Sequence, residues 1–169
     1  MGENGAMTVR ISKESDAKLL KKWLMVPEVL RWFPMDTERE VDDSVRIWMN
    51  YIKQNAAYTL EESGKPIGMA VLYLHSLERL KHQTLFAIVV DPEDRGKGYG
   101  TMLCEAVEKE AREKHGITNL HLEVYEGNPA EKLYKRLGFV EYGRHPGFLK
   151  ETSGEYINKI MMEKNGRSQ

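Results

Sequence analysis

One stretch constrains this chain more than any other: residues 85–101, Leu85-Phe86-Ala87-Ile88-Val89-Val90-Asp91-Pro92-Glu93-Asp94-Arg95-Gly96-Lys97-Gly98-Tyr99-Gly100-Thr101. An unbroken apolar run turns at Asp91-Pro92 into a loop with glycine at every second position, and an amphipathic stretch follows from about Thr101. The order is strand, loop, helix. A loop in this place leaves backbone N–H groups unpaired at the positive end of a helix dipole, where they hydrogen-bond an anion, most naturally a phosphate or pyrophosphate. The spacing excludes two familiar phosphate loops. Thr101 stands where a dinucleotide fingerprint needs its third glycine, and the Gly-Lys-Ser/Thr ending of a P-loop is missing.

The strand Thr84 to Val90 is apolar on both faces, as expected of a central strand covered by helices on both sides. After the loop, Met102, Leu103, Ala106, Val107 and Ala111 form a helical stripe that ends at Gly116. Upstream, Thr8 to Ile11 alternates like a half-buried strand, and Ser15 or Asp16 is placed to cap a helix with Leu19, Leu20, Trp23 and Leu24 on one face. Pro27 stops that helix. Pro27 to Asp36 reads as a loop holding the aromatic pair Trp32 and Phe33, either tucked under the loop or forming a wall of an acceptor site. A second helix is expected near Glu38 to Gln54, with Val41, Val45, Trp48, Met49 and Ile52 on its inner face. Tyr58 to Leu60, a turn at Ser63 to Pro66, and Ile67 to Leu74 predict a β-hairpin.

Downstream, Thr118 to Tyr125 alternates: Leu120, Leu122 and Val124 face one way, His121, Glu123 and Tyr125 the other. Parallel pairing with strand 84–90 puts this strand inside the sheet, where three polar residues on one face call for a cleft or for partners that satisfy them. Asn128-Pro129-Ala130 is a strong helix start, the helix buries Ala130, Leu133, Tyr134 and Leu137, and Gly138 ends it. Residues 138–144 and 155–162 predict a final pair of strands, joined by a mobile loop rich in Gly, Pro and charge.

Length and composition bound the answer. A chain of 169 residues, 41% hydrophobic and 30% charged, suits one soluble domain, expected over residues 7–163, with a disordered or expression-derived start at 1–6 and a flexible tail at 164–169. Net charge is −1, so the balance of charge points to neither nucleic acid nor a membrane surface. Cys104 is the only cysteine, which rules out a disulfide framework, and it reads as a small core residue. No stretch has the length of a membrane span, and the polar start lacks the apolar centre of a signal peptide, so the expectation is a cytoplasmic protein. His75, His82, His115, His121 and His145 lack metal-ligand spacing, and no metal is expected.

Arg95-Gly96-Lys97-Gly98-Tyr99-Gly100 resembles the (Gln/Arg)-x-x-Gly-x-(Gly/Ala) signature of the GCN5-related N-acetyltransferases (GNAT), in which the loop holds the pyrophosphate of acetyl-CoA. A second match follows in the right order: Asn128 to Phe139 is similar to the family's Asn…Tyr-x-x-x-Gly-Phe segment, whose asparagine touches the pantetheine arm and whose tyrosine faces the thioester sulfur. Leu122-Glu123-Val124 further resembles the ribosomal-protein N-terminal acetyltransferases, where the equivalent glutamate is the base. The carboxylate that histone-type members carry on the strand before the glycine loop is absent from Leu85 to Val90.

The resemblance implies an α/β (α+β) fold with a central mixed, mostly antiparallel sheet flanked by helices, and one parallel pair splayed by the cofactor. It implies acetyl transfer from acetyl-CoA to a primary amine, on a small molecule or a protein. Glu123 is then the base, and Tyr134 the acid that protonates the departing thiolate. Ile88, Val89, Val90, Arg95, Gly96, Lys97, Gly98, Tyr99, Gly100, Thr101 and Asn128 hold the cofactor, with backbone N–H at the end of the Val90 strand on the thioester carbonyl. Trp32, Phe33 and Tyr125 are candidate acceptor contacts, and His121 is a minor alternative base. The competing readings are a coenzyme A-sensing module without transfer activity and a transferase of a longer acyl group. A homodimer is compatible with the sequence, which does not name the acceptor.

Overall fold

The computed structural model describes residues 5–166. Along the chain the elements are β1 (Met7–Ile11), α1 (Ala17–Leu24), α2 (Pro27–Leu30), α3 (Glu38–Asn50), β2 (Ala57–Glu62), β3 (Lys65–Tyr73), β4 (Gln83–Val90), α4 (Tyr99–His115), β5 (Asn119–Tyr125), α5 (Ala130–Arg136), β6 (Val140–Lys150) and β7 (Tyr156–Asn165). The strands form a seven-stranded sheet in the order β1-β2-β3-β4-β5-β7-β6, mostly antiparallel with β4 and β5 parallel. This is the mixed α/β class expected. The chain falls into two compact units, one running to Tyr73 and resuming at Ala87–Lys109, the other made of Leu74–Phe86 and the chain from Glu110 onward.

In the first unit β1, β2 and β3 form an antiparallel meander. The β2–β3 turn consists of Ser63 and Gly64, both at positive φ (49° and 82°), as a two-residue hairpin turn matched to strand twist requires. Helices α1 and α3 bury the stripes their spacing predicts: Leu20, Trp23 and Leu24 from one, Val41, Val45, Trp48 and Met49 from the other, against Met69, Val71 and Val89 of the sheet. Gly68 is fixed by packing. A Cβ there would meet the Val89 carbonyl oxygen and Leu103 Cδ2, each at 3.2 Å, so β3 lies close under the strand and helix that bracket the glycine loop.

Two expectations need correction in this unit. The segment after Pro27 is not all loop. Pro27 occupies the first position of α2, where its fixed φ and missing N–H cost nothing, and Val29 is buried. Asp16 stands at the N-cap position of α1 without capping it. Its carboxylate turns to Arg10, the Lys13 N–H and the Thr59 hydroxyl. Burial disfavours that carboxylate's charge, but these donors outweigh burial and hold it below the usual carboxylate range.

In the second unit the parallel ladder joins Gln83–Leu85 to Asn119–His121, and β7 lies antiparallel between β5 and β6. Leu120, Leu122 and Val124 are buried, with Ile160 and Met162 of β7. The expected loop between the last strands shrinks, because β6 runs on to Lys150 and only residues 151–155 turn. As the edge strand, β6 tolerates Pro146, and a register shift between His145 and Leu149 absorbs it. The Asn158 side-chain oxygen takes the Gly147 N–H at 2.9 Å across this irregularity. β7 continues through Asn165, so residues 164 and 165, expected in the tail, belong to the sheet. Residues 1–4 and 167–169 lie outside the described residues.

Candidate functional site

The site residues anticipated from sequence fall into two groups, one in each unit. In the first unit, Asp91 follows β4 directly with its N–H on the Ile67 carbonyl at 2.8 Å, and its carboxylate accepts the Glu93 N–H at 3.0 Å. The short turn Pro92–Asp94 follows, then Arg95 in an extended conformation. Gly96 and Gly98 have φ of 78° and 81°, and a Cβ built on either meets nothing within 4 Å. Backbone conformation, not crowding, fixes these two as glycine. Helix α4 starts at Tyr99, two residues before the sequence suggested, and its first N–H groups have no acceptor inside the helix by geometry alone. Together with exposed Arg95 and Lys97, this is an open cradle of donors and positive charge, and it fits a pyrophosphate.

The loop is braced by residues that sequence reasoning missed. Lys97 Nζ donates to Asp94 Oδ1 at 3.1 Å, and that carboxylate raises the ammonium's affinity for its proton. The Tyr99 hydroxyl donates to Glu62 Oε2 on β2 at 2.8 Å. Neither Asp94 nor Glu62 carries a sequence signal beyond its charge. Of the other first-unit residues, Val89 is core, Ile88 and Val90 are half-buried, and Thr101 lies in the first turn of α4. Phe33 packs on the core cluster, while Trp32 lies beneath the Arg31 guanidinium, 4.5 Å from its ring centre. Cys104 is buried, and burial, followed by the charges of Glu108 and Glu105, pushes its thiol up to about 12.

In the second unit, Asn128 uses its side-chain oxygen to accept the Ala130 N–H at 3.0 Å, so the expected cap on α5 is present. Pro129 already has helical dihedrals there. Tyr134 is buried within an aromatic cluster, edge-on to Phe86 with ring centres 6.3 Å apart and to Phe139 at 6.0 Å. Packing on both sides of the ring fixes its orientation.

The polar face of β5 is answered residue by residue. His121 hydrogen-bonds Gln83, and burial pulls its imidazole below the ordinary histidine value. Glu123 accepts from Lys159 Nζ at 3.2 Å. Lys159 is 8% exposed, and its ammonium lies 3.8 Å from the centre of the Phe148 ring. Phe148 stacks on Tyr125, whose hydroxyl is pushed up to about 12 by burial and then by the Glu123 charge. Both partner-satisfied polar groups and a partly open carboxylate coexist on this face, since the Glu123 side chain is 37% exposed. Lys159 and Phe148 carry no motif, and only the cross-strand register reveals them. Among the described residues no group of His, Cys, Asp and Glu is placed to hold a metal, and no helix is long and apolar enough to cross a membrane.

Comparison with known proteins finds acetyltransferases. A [ribosomal protein bS18]-alanine N-acetyltransferase of Haemophilus influenzae is 33% identical over 103 residues, covering 61% of this chain and 67% of that one. Its Escherichia coli K12 counterpart is 35% identical over 105 residues, covering 62% and 68%. An uncharacterised N-acetyltransferase of Methanocaldococcus jannaschii is 31% identical over 107 residues, and the match spans 61% of this chain but only about half, 47%, of that longer protein. Among solved structures, a ribosomal-protein-alanine N-acetyltransferase from Brucella melitensis superposes with a TM-score of 0.80 at 22% identity, covering 94% of this chain and 99% of that one. A Salmonella typhimurium protein described as an acetyltransferase, solved with acetyl-CoA, gives 0.79 at 20% identity, covering 97% and 96%. The sequence profile of the acetyltransferase (GNAT) family matches residues 22–139, well over half of the chain, and the chain belongs to that family.

Proposed function

We propose that residues 7–163 work as one catalytic domain that transfers the acetyl group of acetyl-CoA to a primary amine by direct attack. The observation that carries the reading is the glycine loop, with left-handed Gly96 and Gly98 opening into the first turn of α4. Backbone N–H groups from Gly96 to Thr101, with Arg95 and Lys97, receive the pyrophosphate. Asn128 contacts the pantetheine arm, and backbone N–H along Ile88, Val89 and Val90 holds the thioester and its carbonyl oxygen.

An alkyl ammonium with a pKa near ~10.4 must lose its proton before it attacks, at a cost of roughly 4 kcal/mol at neutral pH. Glu123 takes that proton, directly or through water. The amine nitrogen then bonds to the thioester carbonyl carbon, the C–S bond breaks, and the departing thiolate takes the Tyr134 hydroxyl proton. The second proton that the nitrogen sheds as it becomes an amide goes to solvent, from which the tyrosinate regains its own. Trp32, Phe33 and Tyr125 are placed in this reading at the acceptor. The alanine acceptor printed for the bacterial relatives makes a protein amine the first class to try. The cytoplasm is the compartment this reading takes.

The test is release of free thiol from acetyl-CoA with a panel of amines: an alanine-initiated peptide, lysine, a polyamine, free amino acids and an aminoglycoside. Thiol release that depends on one amine class, and that Tyr134→Phe lowers, supports the reading and identifies the class. Bound acetyl-CoA without amine-dependent release favours a coenzyme A-sensing module. Release only from a longer acyl-CoA moves the donor assignment.

A further inference from the structure

A single buried carboxylate beside the glycine loop is shared by two lysines. Asp94, which closes the turn after β4, is 8% exposed. Its Oδ1 accepts from Lys97 Nζ at 3.1 Å. Its Oδ2 is buried and has no hydrogen-bond partner among the described residues. Lys65 Nζ stands 3.8 Å from that second oxygen, within ion-pair range but beyond hydrogen-bond reach. The two lysine side chains are 65% and 54% exposed for Lys65 and Lys97, against 10% for the carboxylate they share. The ammonium groups are able to move; Asp94 is not able to follow them into water.

A carboxylate buried to this degree is costly once its counter-charge leaves. Lys97 is in the loop assigned to the pyrophosphate, whose charge exceeds that of a carboxylate, so cofactor binding draws Lys97 away from Asp94. We propose that Lys65 is a positioning residue for the cofactor: as Lys97 turns to the pyrophosphate, Lys65 closes the remaining ~1 Å onto Asp94 Oδ2 and keeps the buried carboxylate paired. The inference rests on the reading of the loop as a pyrophosphate site. Lys65 owes its place to the two-residue turn at Ser63 and Gly64, which sets it at the first position of β3. Without Lys65, releasing Lys97 strands the Asp94 charge, and the loop gives up its lysine less readily.

The exchange predicts a coupling that direct contact with the cofactor does not. In calorimetric binding of coenzyme A, Lys65→Met weakens affinity about fivefold to tenfold in the wild-type background and by less than about 1.5-fold when Asp94→Asn has removed the charge. The loss also vanishes in the Lys97→Met background, an exposed substitution that keeps the test open if Asp94→Asn does not fold. Dephospho-coenzyme A, which retains the pyrophosphate and lacks the 3′-phosphate, gives the same pattern. Unchanged affinity in Lys65→Met overturns the proposal. So does an equal loss in all backgrounds, or a loss confined to the 3′-phosphorylated ligand, because either means that Lys65 touches the cofactor itself. A wild-type protein that binds neither ligand overturns the pyrophosphate reading as well, and is told apart by that result alone.

Discussion

The glycine loop and the polar face of β5 both supply candidate machinery, and they are built in opposite ways. In the loop the residues hold one another, Asp91 with the Glu93 N–H two positions on and Asp94 with Lys97 three positions on, and the rest is set by the dihedrals of Gly96 and Gly98. On β5 each charged or polar side chain is answered from far along the chain: His121 by Gln83, 38 residues away, and Glu123 by Lys159, 36 residues away. The first kind of site acts through backbone conformation and the second through partners delivered by strand register. Substitutions should therefore fail differently in the two regions.

The largest effect is expected in the second unit, from Tyr134→Phe. The aromatic contacts with Phe86 and Phe139 survive the change, so any shift in melting temperature reports only what the hydroxyl holds, while turnover falls about 10²-fold or more with coenzyme A affinity nearly intact. Steady-state thiol release and a thermal melt read the two quantities separately. Unchanged turnover removes Tyr134 from the mechanism.

Next in size is Asp16→Asn, which asks whether distant partners carry stability elsewhere as they order the β5 face. Arg10 of β1, Thr59 of β2 and the Lys13 N–H hold Asp16; Glu61 backs Arg10 and Ser12 backs Thr59 in turn, and Asp16 itself is buried. Leaving Arg10 with Glu61 as its one carboxylate partner should cost about 2 kcal/mol in urea unfolding at pH 7. The sign with pH follows from the lowered carboxyl. A group depressed in the folded state stabilises above its unfolded value near ~3.9 and loses that contribution as pH falls through the folded value. The gap between wild type and variant should thus narrow below about pH 4, and a gap independent of pH contradicts the assignment.

Gly98→Val probes the loop in its own terms. At φ 81° a β-branched residue is strained whatever space surrounds it, at roughly 1–2 kcal/mol. Here the strain falls on the loop proposed to receive the pyrophosphate, so in that reading coenzyme A affinity should drop about tenfold. Gly116, at φ 64° beyond the end of α4, is the matched control. Gly116→Val should lose comparable stability and keep its affinity. Equal affinity losses in both variants mean that the loop is sensitive only through global stability.

This contrast also explains what the sequence made legible. The strand–loop–helix, the caps at Asn128 and Gly138, and the buried stripes of α1 and α3 follow from local periodicity and backbone preference, and they stand where the residues put them. The extension of β6 past Pro146 was not legible, because Gly, Pro and charge signal a loop unless the strand is known to be an edge. Lys159 behind Glu123, Phe148 over Tyr125, and Lys65 beside Asp94 all depend on strand register across tens of residues. Asp16 misled for the same reason: a helix cap by local rule, it is taken by Arg10 and Thr59 once β1 and β2 pair.

The smallest effect is expected from Cys104, and it bears on how the acetyl group travels. A covalent route needs a thiolate within reach of the thioester, yet this thiol is 3% exposed and raised to about 12. At pH 8 that leaves roughly one part in ten thousand as thiolate. Iodoacetamide should therefore label the native protein far more slowly than the denatured chain, with a rate still rising above pH 10. Cys104→Ala trims a buried side chain on α4 and should cost about 1 kcal/mol of stability through the small cavity it leaves. Turnover should stay within twofold of wild type if the amine attacks the thioester directly. A collapse of turnover with retained coenzyme A affinity would put the acetyl group on Cys104 first. It would also break the comparison, since the loop helix would then supply the nucleophile and β5 only the base.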